Sequence, residues 1–142
     1  MTTYSHVGIC VSDLDRSLRF YCEGLGFEAA EAHTVGQEFG GLLEIDAVHL
    51  ESRFIRRGGV ALELLWFAEP GHTGPSDRRP MNQLGLTHLS FRVDDVGAAA
   101  AALAALGGTV HEHTRTTFGP TLDFVYVTDP DGTRIELMRL PT

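Results

Sequence analysis

The chain contains no lysine. Its Lys and Arg residues together number 11, and all 11 are arginine. Schiff-base catalysis and a P-loop lysine are therefore excluded. The two cysteines, Cys10 and Cys22, are too few for a disulfide framework, so a reducing cytoplasm is the expected compartment. The sequence has no run of about 18 apolar residues that could span a membrane, and no basic segment precedes the first predicted strand. These absences predict a cytoplasmic protein without a membrane segment.

Acidic residues outnumber basic ones by 19 to 11, and the formal net charge is −8. This charge argues against nucleic acid or an anionic membrane surface as a partner. The hydrophobic fraction of 43% is that of a globular protein, and 142 residues are enough to bury a sizeable core. Neither nucleic acid nor a membrane is therefore the expected partner.

One pattern occurs twice along the chain. Each copy has a His near the start of an alternating strand, at residues 4–11 and 86–93. Each copy ends with a Glu inside an aliphatic strand, at residues 60–65 and 133–138. Between the His and the Glu of each copy, the sequence has a stretch of helical periodicity and further strand-like stretches. The chain is therefore expected to consist of two equivalent modules.

The repeat predicts an α+β fold of two tandem βαβββ modules, residues 1–67 and 86–142, which form a cupped eight-stranded mixed sheet with the helices outside. Residues 68–85 are predicted to be a connector, because this stretch is rich in proline and glycine and has no hydrophobic period. The two modules of one chain can meet each other or exchange with those of a second chain, and the sequence leaves both open. The predicted elements are strands 4–11, 26–33, 45–56, 59–67, 86–93, 109–115, 121–128 and 133–140, and helices 12–25 and 94–106.

Two imidazoles and two carboxylates are expected on the concave side of the sheet, because strand alternation turns them away from the helices. This quartet consists of His6, Glu63, His88 and Glu136. A carboxylate inside an aliphatic strand is costly to bury unless a cation or hydrogen bonds compensate. Pairing with an arginine such as Arg53 or Arg92 is one explanation for each glutamate. The recurrence of both residue types at the same place in both modules instead favours one shared metal ion.

A site of two imidazole nitrogens and two carboxylate oxygens suits one divalent ion of Zn, Ni, Co, Mn or Fe. Four protein ligands leave two positions of an octahedral ion open, so Lewis-acid polarisation of a substrate carbonyl is the natural chemistry. A ligating carboxylate, Glu63 or Glu136, can also detach and take up a proton. The quartet therefore predicts metal-assisted acid–base catalysis.

Three segments carry a resemblance to a known family. Residues 6–27, His-Val-Gly-Ile-Cys-Val-Ser-Asp-Leu-Asp-Arg-Ser-Leu-Arg-Phe-Tyr-Cys-Glu-Gly-Leu-Gly-Phe, resemble the opening of the vicinal oxygen chelate superfamily. Residues 88–95 and 129–137 resemble its second module. That superfamily includes glyoxalase I, methylmalonyl-CoA epimerase, extradiol dioxygenases, and fosfomycin and bleomycin resistance proteins. The resemblance implies paired βαβββ modules around a divalent metal, usually within a dimer.

The ligand pattern resembles that of glyoxalase I relatives, which place His, Glu, His and Glu at the four positions of the quartet. This implies a lyase, isomerase or epimerase acting on an enolisable carbonyl compound that chelates the metal, with Glu63 or Glu136 moving the proton. One alternative is an Fe(II) enzyme of the extradiol dioxygenase type, although that chemistry resembles a set of two His and one carboxylate. The other alternative is a binding or resistance protein that sequesters a hydrophobic small molecule without chemistry.

Two departures from the glyoxalase I pattern concern the substrate. Relatives that bind glutathione commonly have an Arg four residues after the first His and an Asn four residues after the second ligand, where this chain has Cys10 and Phe67. A glutathione-linked substrate is therefore not expected, and a more apolar pocket is. The residues predicted to contact substrate are Cys10, His49, Phe67, Arg92, Tyr126 and Met138.

Overall fold

Each half of the chain forms its own four-stranded mixed sheet in the computed structural model, which describes residues 1–141. The chain divides into two compact units, Met1–Gly74 and Pro75–Thr142. This division falls within residues 68–85, although the last strand of the first unit continues to Glu69. The predicted α+β fold of two tandem βαβββ modules is confirmed, and its eight strands are organised as two sheets of four.

The first unit begins with a strand and a short capped helix. The Asp13 carboxylate caps this helix by accepting a hydrogen bond from the Arg16 backbone N–H at 2.9 Å. The Ser12 hydroxyl accepts a hydrogen bond from the Arg16 guanidinium at 2.9 Å. The elements are β1 (Val7–Cys10), α1 (Leu14–Arg19), a π-helical turn (Phe20–Gly24), β2 (Glu28–Val35), a 3₁₀ turn (Gln37–Phe39), α2 (Gly40–Leu43), β3 (His49–Arg57) and β4 (Val60–Glu69).

The second unit repeats the plan with one longer helix. The Asp95 carboxylate caps this helix by accepting from the Ala98 backbone N–H at 2.9 Å. Gly107 follows the helix with a φ of +95°, a left-handed conformation that glycine adopts without a steric penalty. The elements are β5 (Leu89–Arg92), α3 (Val96–Ala105), β6 (Thr109–Phe118), β7 (Leu122–Thr128) and β8 (Arg134–Arg139).

The strand order is the same in both sheets. It is β1-β4-β3-β2 in the first unit and β5-β8-β7-β6 in the second. The first strand of each unit pairs in parallel with the last strand, and the remaining neighbours are antiparallel. The last strand of each unit therefore lies inside its sheet, with a neighbour on both sides.

The core of each unit packs on one face of its sheet. In the first unit, Leu62 and Leu64 on β4 are at most 1% exposed, and in the second, Ile135 and Leu137 on β8 are fully buried. Because side chains alternate along a strand, the residue between each apolar pair points to the opposite face. Burial of the apolar pairs thus directs Glu63 and Glu136 away from the core.

Across residues 1–141, no helix is sufficiently long and apolar to cross a membrane.

Leu103 on α3 is fully buried, whereas Leu84 is 95% exposed. We expect Leu103→Ala to lower the free energy of unfolding by about 2–5 kcal/mol, because it removes buried apolar contacts and leaves a cavity. The matched control Leu84→Ala is expected to change it by less than about 0.5 kcal/mol. Urea unfolding followed by circular dichroism measures both values, and equal losses in the two variants would contradict the described core.

Candidate functional site

In the first unit, His6 and Glu63 form a close pair. Glu63 lies on β4 opposite Gly8 of β1, and His6 lies two residues before Gly8, which brings the imidazole beside the carboxylate. His6 Nε2 is 3.1 Å from Glu63 Oε2, and the two side chains are 33% and 20% exposed. The pair is therefore partly buried but open to solvent on one side.

Neighbouring side chains hold this pair in place. The buried Ser52 hydroxyl on β3 donates a hydrogen bond to Glu63 Oε1 at 2.6 Å. Ser5 Oγ lies 2.8 Å from His6 Nδ1, and the Phe54 ring packs edge-on to the imidazole with a centroid distance of 4.9 Å. Both ends of the pair are thus positioned by contacts within the first unit.

The second unit contains the equivalent pair, His88 and Glu136. His88 Nε2 is 3.8 Å from Glu136 Oε1, with the side chains 25% and 22% exposed. Thr87 Oγ1 lies 2.9 Å from His88 Nδ1. The Ser90 hydroxyl donates to Glu136 Oε1 at 2.8 Å, and the Tyr126 hydroxyl donates to Glu136 Oε2 at 3.4 Å. This carboxylate accepts hydrogen bonds at both of its oxygens.

The two pairs occupy the same position in the repeat. Glu63 has Gly8 and Phe54 as its cross-strand partners, whereas Glu136 has Ser90 and Tyr126. The architecture is therefore duplicated, but the hydroxyl groups that contact the carboxylate are not.

The donor types in each pair fit a divalent metal. Each pair offers one imidazole nitrogen and one carboxylate oxygen, as borderline divalent ions prefer. The hydroxyl beside each Nδ1 can accept a hydrogen bond from it, an arrangement compatible with the tautomer in which Nδ1 carries the proton and Nε2 is a free ligand. Among residues 1–141, no three His, Cys, Asp or Glu side chains are grouped to hold a metal ion. The structure therefore shows the quartet as two pairs, one in each unit.

The arginines considered as partners for the two glutamates do not take that role. Arg53 Nη1 pairs with Glu51 Oε2 at 3.2 Å. Within residues 1–141, Arg92 makes no ion pair with Glu136. Hydroxyl groups and imidazoles, rather than guanidinium groups, accompany the two carboxylates.

Tyr126 is the one tyrosine among the predicted substrate contacts, and its phenol is perturbed by its surroundings. Partial burial raises the pKa of Tyr126, and the negative charge of Glu136 and the hydrogen bond to it raise the pKa further. The Tyr126 ring also packs edge-on to the His88 imidazole, with a centroid distance of 5.6 Å. The phenol is thus a protonated hydrogen-bond donor beside the second pair.

Three other predicted substrate contacts share a sheet face with one of the glutamates. Cys10 lies on β1 opposite Leu65, and Leu65 and Phe67 follow Glu63 at alternate positions of β4. Met138 follows Glu136 at the next alternate position of β8. These side chains extend the site along each strand with apolar or weakly polar groups.

The structure does not bring His49 to the first pair. Its side chain is 52% exposed, and its Nε2 lies 3.4 Å from Glu51 Oε1. On β3 it belongs to the alternate set from Ser52 and Phe54, the residues that contact Glu63 and His6. The prediction that His49 contacts substrate therefore gains no support from its position.

Sequence reasoning missed the residues that position the quartet. Ser90 lies two residues after His88, so strand alternation places both side chains on the same face, and the sequence alone indicates this. Ser52 and Phe54 lie on β3, and their nearness to Glu63 depends on the register of the β3–β4 hairpin. Gly58 and Gly59, with φ values of +51° and +82°, form the turn of that hairpin. A two-glycine turn fixes how the two strands align, so the Gly-Gly pair is the sequence feature that indicates this register.

Comparisons with known proteins agree with this architecture. Residues 3–137 match the model of the Glyoxalase/Bleomycin resistance protein/Dioxygenase superfamily. The chain is 33% identical to a 2-epi-5-epi-valiolone epimerase of an Actinomyces species, over 96% of this chain and 78% of that protein. It is 29% identical to a probable lactoylglutathione lyase of Vibrio parahaemolyticus, over 94% and 88% of the two chains.

A solved structure supports the fold. A glyoxalase family protein from Bacillus cereus superposes with a TM-score of 0.84 at 21% identity, covering 99% of this chain and 96% of that chain. At this identity the likeness concerns the fold alone. The resemblance seen in residues 6–27, 88–95 and 129–137 is confirmed by the family match, and the chain belongs to the Glyoxalase/Bleomycin resistance protein/Dioxygenase superfamily.

Proposed function

We propose that this chain is a divalent-metal-dependent lyase, isomerase or epimerase that acts on an enolisable carbonyl compound. The observation that carries the proposal is the His–Glu pair built twice, at the same register position of both sheets. A structural ion pair needs no counterpart in a second module, whereas a four-ligand metal site needs both. Membership of a superfamily that includes lyases and epimerases supports the same conclusion.

His6, Glu63, His88 and Glu136 would hold the metal, one of Zn, Ni, Co, Mn or Fe. When bound, the ion would polarise the substrate carbonyl and so acidify the neighbouring C–H group. The two modules would come from one chain or from two chains of a homodimer.

The two glutamates would carry the proton transfers. A carboxylate beside an acidified carbon accepts its proton. In an isomerisation the same carboxylate would return the proton to the neighbouring carbon, and in an epimerisation the other carboxylate would donate a proton to the opposite face. Ser52 holds one oxygen of Glu63, while Ser90 and Tyr126 hold both oxygens of Glu136. Such hydrogen bonds keep a carboxylate oriented toward the substrate side of the strand.

The substrate is proposed to lack glutathione. Cys10 and Phe67 stand where glutathione-binding relatives carry an Arg and an Asn, and neither side chain can pair with a carboxylate. The relatives named lactoylglutathione lyase therefore support the class of chemistry, and the relative named as an epimerase shows that the chain's resemblance extends beyond glutathione-linked enzymes.

Metal analysis of the protein, purified without chelator or affinity metal, is the first test. About one Zn, Ni, Co or Mn for each quartet is expected. Iron together with substrate-dependent oxygen consumption would favour the dioxygenase alternative. Failure to take up any of these ions on titration would contradict the proposal and favour a non-catalytic binding protein.

The variant Glu136→Gln is expected to lower metal affinity by at least about 10-fold and to abolish turnover, because the amide is a much poorer ligand and cannot act as a base. Its fold should be unchanged by circular dichroism. Glu112→Gln is the matched control, because the Glu112 side chain is 66% exposed and lies on the same unit. Full metal content and full activity in Glu136→Gln would show that the quartet is wrong.

In metal-free protein, the pKa of Tyr126 is expected to lie above the ordinary tyrosine value and to fall in Glu136→Gln. The sign follows because ionised Glu136 opposes formation of the phenolate, and glutamine carries no charge. A pH titration of phenolate ultraviolet absorbance measures this shift, with Tyr126→Phe identifying the transition and Glu112→Gln as the control. An unchanged Tyr126 transition in Glu136→Gln would contradict the contact.

A further inference from the structure

In each unit an aromatic ring packs against the histidine of the His–Glu pair. The Phe54 ring contacts the His6 imidazole edge-on with a centroid distance of 4.9 Å, and the Tyr126 ring contacts the His88 imidazole edge-on at 5.6 Å. Both rings lie directly opposite the glutamate of their own unit in the strand register. The aromatic group beside the imidazole is therefore a repeated part of the site.

A guanidinium group lies over each of these rings. Arg56 Cζ is 5.9 Å from the centroid of the Phe54 ring, and Arg134 Cζ is 5.3 Å from the centroid of the Tyr126 ring. Both distances fall within the range of about 6 Å over which a cation is attracted to the face of an aromatic ring. Each unit therefore contains a stack of three groups, an imidazole, an aromatic ring and a guanidinium.

The two arginines reach their rings from different strands. Arg56 on β3 lies opposite Ala61 of β4, whereas Arg134 on β8 lies opposite Thr128 of β7. These two cross-strand pairs occupy the same register position in the two units. The arginine belongs to the strand of the ring in the first unit and to the strand of the glutamate in the second. The guanidinium is thus repeated in space although the residue that supplies it is not.

Arg134 is the more deeply placed of the two arginines. It is 8% exposed, whereas the Arg56 side chain is 51% exposed and pairs with Glu31 at 2.9 Å. Arg134 Nη2 donates to the Arg79 carbonyl at 2.8 Å, and within residues 1–141 no carboxylate pairs with this guanidinium and its buried Nε has no acceptor. A buried cation with an unused donor is costly. The first unit forms the same strand pairing with Ala61 at the equivalent position, so the module does not require this arginine.

We propose that Arg134 is a positioning residue for the His88–Glu136 pair and acts through Tyr126, an inference whose consequence for metal binding rests on the proposed function. The Tyr126 ring contacts the His88 imidazole, and its hydroxyl donates to Glu136 Oε2 at 3.4 Å. A guanidinium over the ring restrains the ring, and a restrained ring keeps both members of the pair in place. Arg134 therefore orients an imidazole and a carboxylate through one aromatic group.

The first unit shows that this double effect belongs to the second unit. Phe54 has no hydroxyl group, and Glu63 accepts its hydrogen bond from Ser52 instead. The arginine of the first unit can therefore act on the imidazole alone. The Arg79 carbonyl that holds Arg134 lies within residues 68–85, so this arginine also ties part of the predicted connector to the site of the second unit.

Zinc affinity distinguishes positioning from a simple effect of charge. Removal of a positive charge near a cation site should raise the affinity for Zn²⁺ if Arg134 acts only through its charge. Positioning predicts the opposite sign, so Arg134→Gln should lower zinc affinity by at least about 5-fold, because the ligands lose their outer support. Arg134→Met, which keeps an apolar stem without the charge, is the second neutral variant, and it should show the same loss. Arg134→Lys keeps a cation over the ring and should stay within about 2-fold of the wild type.

Calorimetric titration of the metal-free protein with Zn²⁺ alone measures these affinities, and a double-mutant cycle tests the route through the ring. In a Tyr126→Leu background, Arg134→Gln should cause no further loss of zinc affinity. An equal loss in both backgrounds would show that Arg134 does not act through Tyr126. Zinc affinity at or above the wild-type value in both neutral variants would likewise overturn the proposal.

A measurement without metal tests the contact itself. The nuclear Overhauser effect between the ring protons of His88 and Tyr126 is expected to weaken by at least about 2-fold in Arg134→Gln, because the ring loses its restraint. Arg56→Gln, which removes the equivalent guanidinium of the other unit, is the matched control and should leave this signal unchanged. The same signal in Arg134→Gln and the wild type would contradict the proposal. Wild-type protein that takes up no zinc would refute the proposed function, and the comparison in metal-free protein would still decide the role of Arg134.

Discussion

Burial of two apolar side chains on the last strand of each unit is the constraint on which the site depends. Leu62 and Leu64 on β4, and Ile135 and Leu137 on β8, pack into the core and fix which face of each strand is outward. A slip of one residue would exchange the faces and bury the glutamate in place of the apolar pair. The hydrophobic free energy of the core therefore holds the carboxylates toward solvent, and no separate interaction is needed to choose their side.

The two modules share a backbone plan but have diverged around the carboxylate. Glu63 has a glycine and a phenylalanine as cross-strand neighbours, whereas Glu136 has a serine and a tyrosine, both of which donate hydrogen bonds to it. The first carboxylate therefore accepts a hydroxyl hydrogen bond from Ser52 at one oxygen, whereas the second accepts hydroxyl hydrogen bonds at both. This asymmetry would allow the two glutamates to take different parts in a reaction.

Much of the fold and the outline of the site could be predicted from the sequence, because both depend on alternation along single strands. Alternation alone identifies the strands that carry His6, Glu63, His88 and Glu136, and the repeat identifies them as equivalents. The hydrogen-bond partners of these residues depend on how neighbouring strands align. The contact of Ser52 with Glu63 was therefore not predicted from the sequence. The short helix α2 and the π-helical turn after α1 also escaped, since segments of four and five residues carry too little periodicity to be recognised.

The parallel pairing of the first and last strands has a consequence for how each unit forms. The residues opposite each glutamate are distant in sequence: Gly8 and Glu63 are separated by 63 − 8 = 55 positions, and Ser90 and Glu136 by 46. Closing such long loops is slow, so these contacts belong to the late events of folding and follow synthesis of the whole unit. A newly made chain would hold its helices and hairpins before it holds either His–Glu pair. Capture of an ion by the pairs would then mark chains that have completed folding.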